Sequence, residues 1–129
     1  MEDKERHERG MARRRKVLGA AWVDRANARK NPFNEEFQDL ITRYAWGEVW
    51  TRSHYDERTR RILVIGTMIA LAQWDEFRLH VRAALAEGGF SEADIKEIIL
   101  QQAIYCGVPA ANHAFKEAGE VIAELAKPK

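Results

Sequence analysis

From Asp56 to Ala126 the apolar residues recur three and four positions apart, and the pattern is interrupted at Gly88-Gly89 and again at Gly107 and Pro109. No stretch alternates apolar with polar as a half-buried strand would, so helices are the elements this chain can build. The predicted fold class is all-α, with about six helices. Their limits follow from the punctuation. A charged helix over 3–18 closes near Gly19 as a C-terminal cap. Asn34 precedes Glu35 and Glu36 as an N-cap followed by first-turn acids, and that helix runs to about Ala45. Asp56 caps a helix over 57–72 whose apolar second half is wide enough to be buried nearly all round. The helix holding Phe77 and Leu85 ends at Gly88. Ser91 and Asp94 have capping-box spacing, with Asp in place of the usual Glu or Gln, and open a helix to Cys106. Pro109 suits the first turn of a last helix reaching Ala126.

At 129 residues the chain has the size of one domain, 1–129. Its charge is uneven: net +1 overall, but with ten Lys/Arg against five Asp/Glu in residues 1–30, which read as a basic N-terminal helical arm. The run Arg13 to Lys16 has no interleaved aromatics and matches no DNA-binding pattern, so no nucleic-acid partner is expected. No apolar run approaches the roughly 18 to 20 residues of a membrane span. The charged first ten residues lack the apolar core of a secretory signal, and a single cysteine, Cys106, excludes an internal disulfide. A cytoplasmic protein without membrane association is the expectation.

The chemistry-bearing candidates sit on three segments. Glu76 and His80 are four apart on a helix, on the line bordering the apolar stripe of Trp74, Phe77, Val81 and Leu85. Asp75, Arg78 and Arg82 take the opposite, solvent-facing side. His80 therefore points inward or into a crevice. A carboxylate at i−4 favours the protonated imidazole and burial opposes it. The pair is either an ordinary helix pair worth a few tenths of a kcal/mol or a general acid with its support. A metal site is not expected, because His7, His54 and His113 are scattered and one His/Glu pair supplies only two ligands. The segment Tyr44–Tyr55, with Trp46 and Trp50 around Gly47, is either a core-covering turn or a pocket wall. Gln102 lies among Ile95, Ile98, Ile99 and Cys106, so its amide is either satisfied by backbone or aimed at a ligand. Cys106 reads as a small core residue.

Several segments together resemble the γ-carboxymuconolactone decarboxylase family over nearly the whole chain. They are Gly10-Met11, Val17-Leu18-Gly19, Val23–Ala26 (VDRA), Tyr44–Trp50 (YAWGEVW), Thr51-Arg52, Arg58–Arg60, Glu76–His80 (EFRLH) and Ile104–Phe115 (IYCGVPAANHAF). The resemblance implies an alkylhydroperoxidase-D-like helical fold and a ring-like homo-oligomer, usually a hexamer, with sites near subunit contacts and no cofactor. It also implies decarboxylation of a small lactone dicarboxylate, 4-carboxymuconolactone, in aromatic catabolism. Thiol-peroxidase relatives use a Cys-x-x-Cys before a histidine. The corresponding Gln73–Glu76 before His80 has neither cysteine, which removes that chemistry. On this reading His80 is the proton donor and Glu76 its support. Arg52, beside Trp46 and Trp50, suits a substrate carboxylate, and Tyr105 a carbonyl. The chain departs from the family pattern at Trp22, where a histidine is common, at Ser53–Tyr55, and at Gln102. These departures bear on substrate identity, and the alternative is an altered-specificity or non-catalytic family member that binds a related organic acid.

Overall fold

The computed structural model describes residues 2–128, and among them every regular element is helical. Seven α-helices and one π-helical segment follow in order: α1 (Asp3–Leu18), α2 (Ala20–Ala28), α3 (Glu35–Ile41), the π segment (Thr42–Val49), α4 (Glu57–Leu71), α5 (Trp74–Ala86), α6 (Glu92–Cys106) and α7 (Val108–Ala126). The chain divides into two compact units, residues 1–57 and 58–129.

In the first unit, the expected basic arm is two helices. Gly19, at φ 94°, ends α1 and begins α2 in one residue, a backbone value that favours glycine. The sequence marks only 3–18 as a bounded helix within that arm; the separate helix over 20–28 is not delimited there, because its polar second half hides its period. The Arg13–Lys16 run is largely committed within the unit. Arg14 is buried with its guanidinium 5.7 Å from the Trp22 ring, Arg15 pairs with Asp24 at 2.6 Å, and Lys16 lies 3.5 Å from Glu57. Burial lowers the Arg14 pKa. Trp22 is thus a platform for a buried arginine.

The helix expected from Glu35 to Ala45 changes character at Thr42. The Thr42 hydroxyl donates back to the Gln38 carbonyl at 2.8 Å, and by Trp50 the backbone bond spans five residues, to the Ala45 carbonyl at 2.9 Å. The π segment packs on α1 through two glycines. A Cβ on Gly10 would collide with the Thr42 carbonyl, and one on Gly47 with the Arg6 carbonyl. Asn34 does not cap α3: its own backbone is helical and its side chain accepts from the Asn31 amide. Asn31 is the residue that turns the chain, its side chain accepting from the amides of Phe33 and Asn34.

In the second unit, the core forms around Ile65 and Ile69 of α4, Phe77 and Val81 of α5, Ile95 and Ile99 of α6, and Ala114 and Val121 of α7. The alanines on α7 allow close helix approach, and the aliphatics fill the space between. Both reciprocal bonds of the Ser91/Asp94 capping box form, at 3.2 and 2.8 Å. Gly107 at φ 97° ends α6, and Pro109 sits in the first turn of α7. The expectation that α4 is buried nearly all round is corrected. Arg61, Ile65, Gly66 and Ile69 are buried, whereas Leu63 and Leu71 are more than half exposed. Nor do Arg78 and Arg82 simply face solvent. Arg78 reaches Glu117, Glu120 and Glu124 at 2.6 to 2.8 Å, and Arg82 also takes Glu124 at 2.6 Å. These bonds tie α5 to α7, assisted by a parallel stack of Trp74 on His113, with ring centroids 4.1 Å apart.

Candidate functional site

α5 is amphipathic, and its buried line includes Phe77, His80, Val81 and Ala84. His80 therefore faces inward, as its helical projection requires, with its side chain only 8% exposed. Its Nε2 stands 3.7 Å from Glu76 Oε2, close enough for electrostatic contact and too far for a direct hydrogen bond. Glu76 itself is 57% exposed. The other imidazole nitrogen, Nδ1, is buried without a hydrogen-bond partner among the described residues. A buried polar atom left in that state is costly, and it is satisfied when a ligand or water reaches it.

Two effects oppose protonation of His80. Burial is the larger, and the positive charge of Arg61 on α4 adds to it, taking the pKa from 6.5 down to about 4. The opposing pull of the Glu76 carboxylate is weak because that group is screened by solvent. In the free protein His80 is accordingly a neutral imidazole at neutral pH.

Arg61 was not singled out from the sequence. It is 1% exposed and heads the largest fully buried side chains. A signal was present: Arg61, Ile65 and Ile69 lie at i, i+4 and i+8, so the arginine occupies the core-facing line of α4.

Gln102 finds a backbone partner, the first of the two outcomes its sequence position allowed. Its amide nitrogen donates to the Gly66 carbonyl at 3.2 Å and lies 3.7 Å from the Cys106 sulfur, and the side chain also lines a cavity of about 550 Å³. The walls of that cavity are mostly aliphatic, from Ile62, Leu63, Leu71 and Ile98. Its cation, Arg58, is already held by Asp94 at 2.8 Å and lies 4.4 Å from the Phe90 ring centroid. A doubly charged anion would lose hydration there with little return, and His80 is not among its lining residues. The cavity and the proton-transfer candidate are therefore different places. Tyr105 projects outward from α6, 76% exposed.

The remaining sequence candidates belong to the first unit. Trp46 is buried and stacks on the half-buried Trp50, ring centroids 4.9 Å apart. Arg52 is exposed, in the turn just after, its amide donating to the Val49 carbonyl. The structure thus pairs His80 with Glu76 and Trp46 with Trp50. Among the described residues no three His, Cys, Asp or Glu side chains gather as metal ligands would, and no helix is long and apolar enough to cross a membrane.

Comparison with known proteins gives these residues a context. The chain is 40% identical over 125 residues to a 4-carboxymuconolactone decarboxylase of Acinetobacter baylyi, covering 97% of this chain and 92% of the relative. It is 39% identical over 105 residues to a nitrosuccinic acid decarboxylase of Metarhizium robertsii, covering 81% of this chain and 73% of that one. A 48-residue 4-carboxymuconolactone decarboxylase sequence from Pseudomonas putida is matched along its whole length at 52% identity, over 37% of this chain. The family model described as the carboxymuconolactone decarboxylase family matches residues 35–120, the span that holds both Glu76 and His80. The chain belongs to the carboxymuconolactone decarboxylase family.

Proposed function

We propose that the protein is a cofactor-free carbon–carbon lyase that converts 4-carboxymuconolactone to 3-oxoadipate enol-lactone, with release of CO2, in the protocatechuate branch of aromatic catabolism. The observation that carries this reading is His80: a buried imidazole with an unsatisfied nitrogen beside Glu76, inside the family-matched span of a chain 40% identical to a decarboxylase of that substrate.

The chemistry needs no electron sink beyond the substrate. The departing carboxylate sits on the γ-carbon of an unsaturated lactone. When its C–C bond breaks, the electron pair moves through the ring double bond to the carbonyl, leaving a furan-like oxyanion and CO2. One proton delivered to the α-carbon completes the product. The protein has to hold the carboxylates, favour the oxyanion and supply that proton. His80 is the proton donor and Glu76 its support. Substrate charge makes this compatible with a neutral imidazole in the free protein. A carboxylate about 4 Å away, at an effective dielectric near 20, favours the imidazolium by about 4 kcal/mol. That is enough to offset the burial penalty in the complex.

Arg52 is assigned to a substrate carboxylate and Tyr105 to the lactone carbonyl, with Trp46 and Trp50 as further substrate-binding residues; Gln102, whose aliphatic cavity lies apart from His80, is the one substrate-binding candidate this mechanism does not use. The protein is placed in the cytoplasm as a homo-oligomer, a hexamer. The apolar surface that α6 leaves exposed at Leu100, Ile104 and Tyr105, continued by Val108, supports assembly. A second reading, decarboxylation of a different acid, is favoured by the Metarhizium relative, whose substrate is nitrosuccinic acid. The test is a turnover assay on purified protein, without added metal, with 4-carboxymuconolactone and nitrosuccinate as separate substrates and CO2 as the readout. Turnover of the lactone is expected; turnover of nitrosuccinate alone selects the second reading, and turnover of neither rejects the first.

A further inference from the structure

Phe33, Phe37, Leu40 and Tyr44 are four, three and four residues apart, the repeat of a seam between two helices. In the first unit all four are left outside, between 49% and 99% exposed. The other side of the same element is the one that packs. Thr42 and Trp46 are buried, Asp39 accepts from Lys30 at 2.9 Å, and Gly10 and Gly47 let α1 press close. Phe33 precedes α3, yet its place is fixed, because its amide donates to the Asn31 side chain. The stripe is therefore a held apolar face, not a loose loop.

The charges along its flank select a partner. Glu36 and Arg43 are seven residues apart and lie on one edge of the stripe, with Asn34 and Ile41 on the other edge. Among the described residues neither Glu36 nor Arg43 makes an ion pair. Let two copies of this face meet antiparallel across a two-fold axis. Phe33 then packs on Tyr44 of the second copy and Phe37 on its Leu40, while Glu36 of each copy meets Arg43 of the other. A parallel pairing sets the same two charges against Asn34 and Ile41, where neither finds an opposite charge. The two stripes together hold on the order of 1,000 Å² of exposed surface, about what a specific interface requires.

We infer that the 33–44 face is a self-association surface that binds a second copy of this chain antiparallel, with two Glu36–Arg43 ion pairs fixing the direction. Such a contact uses one patch twice and closes on itself, leaving no open end for further growth. Its residues are distinct from the exposed α6 surface of the second unit. It needs no substrate, so it stands or falls apart from the decarboxylase assignment.

The experiment is sedimentation equilibrium of the full-length protein over a concentration series. The samples are wild type, Phe37→Asp, Glu36→Arg, Arg43→Glu and an equal mixture of the last two, each checked for helix content by circular dichroism. Wild type should self-associate, and Phe37→Asp should weaken association at least about tenfold. Glu36→Arg sets two like-charge pairs across the contact, as does Arg43→Glu, so each alone should associate about tenfold more weakly than wild type. In the mixture every arginine at 36 or 43 meets a glutamate on the other molecule, and association should return to within about threefold of wild type. Only this face meeting itself antiparallel repairs two defects carried by different molecules. A monomeric wild type overturns the inference. So do a folded Phe37→Asp protein or single charge variants that associate as wild type does, and a mixture no tighter than the variants apart. Should Phe37→Asp fail to fold, the charge variants alone decide.

Discussion

His80 Nε2 and Glu76 Oε2 lie one helical turn and 3.7 Å apart, one side chain 8% exposed and the other 57%. That asymmetry makes them unequal partners: the imidazole is governed by the protein interior and the carboxylate by water. Glu76→Gln should therefore change folding stability by less than about 0.5 kcal/mol in chemical denaturation. Its effect should appear in turnover, as a kcat reduced about tenfold. Wild-type turnover in that variant would remove Glu76 from the mechanism.

Burial of His80 links stability to pH with a definite sign. Its folded pKa, about 4, is below the unfolded value of 6.5, so the unfolded chain binds the proton more readily. The stability tied to the neutral ring is complete above pH 6.5, declines as pH falls toward 4, and is gone below that. The gap corresponds to about 3 kcal/mol. Urea denaturation of wild type and His80→Gln across this window should show a loss in wild type that the variant lacks. Parallel curves would mean that His80 is not the group responsible.

Ala72 ends α4 at φ 54°, a left-handed backbone that a Cβ resists. The two turn bonds, Ala72 amide to Ile69 carbonyl and Gln73 amide to Met68 carbonyl, hold it there. Ala72→Gly should stabilise the protein by about 1 kcal/mol, the strain relieved outweighing the chain entropy gained by the unfolded state. A lower melting temperature would contradict this account of the turn.

Gly66 and Gln102 form a fitted pair. A Cβ on Gly66 would lie 3.2 Å from Gln102 Nε2, the atom that donates to the Gly66 carbonyl. Gly66→Ala should cost about 1 kcal/mol by displacing that bond, and Gln102→Ala a similar amount. The double variant should cost clearly less than the sum. Additive losses would show that the two residues act separately.

The helices and their ends were legible wherever a cap was local. Gly19, Ser91 with Asp94, Gly107 and Pro109 each do in the structure what their neighbours in sequence imply. Legibility failed where the deciding contact was distant in sequence. Nothing near Thr42 announces that α1 will press on Gly47 and that the helix will widen into a π segment. Asn34 looked like a cap because local spacing does not separate it from Asn31, three residues earlier. The apolar half of α4 read as fully buried because hydrophobic count does not say how many faces the chain covers. At the site, the inward turn of His80 followed from its helical projection, but the outcome of burial against the Glu76 carboxylate did not. That was decided by how deeply the fold buries the ring, with a smaller contribution from Arg61, which is fifteen or more residues from either and recognisable only by its place on the α4 core line.

The most direct test of the account is the rate of CO2 release from 4-carboxymuconolactone by purified wild type and by His80→Ala, without added metal, with circular dichroism to establish that the variant is folded. The account predicts turnover by wild type and a loss of at least about 100-fold in kcat for the folded variant. A folded His80→Ala protein that decarboxylates the lactone at the wild-type rate would contradict it.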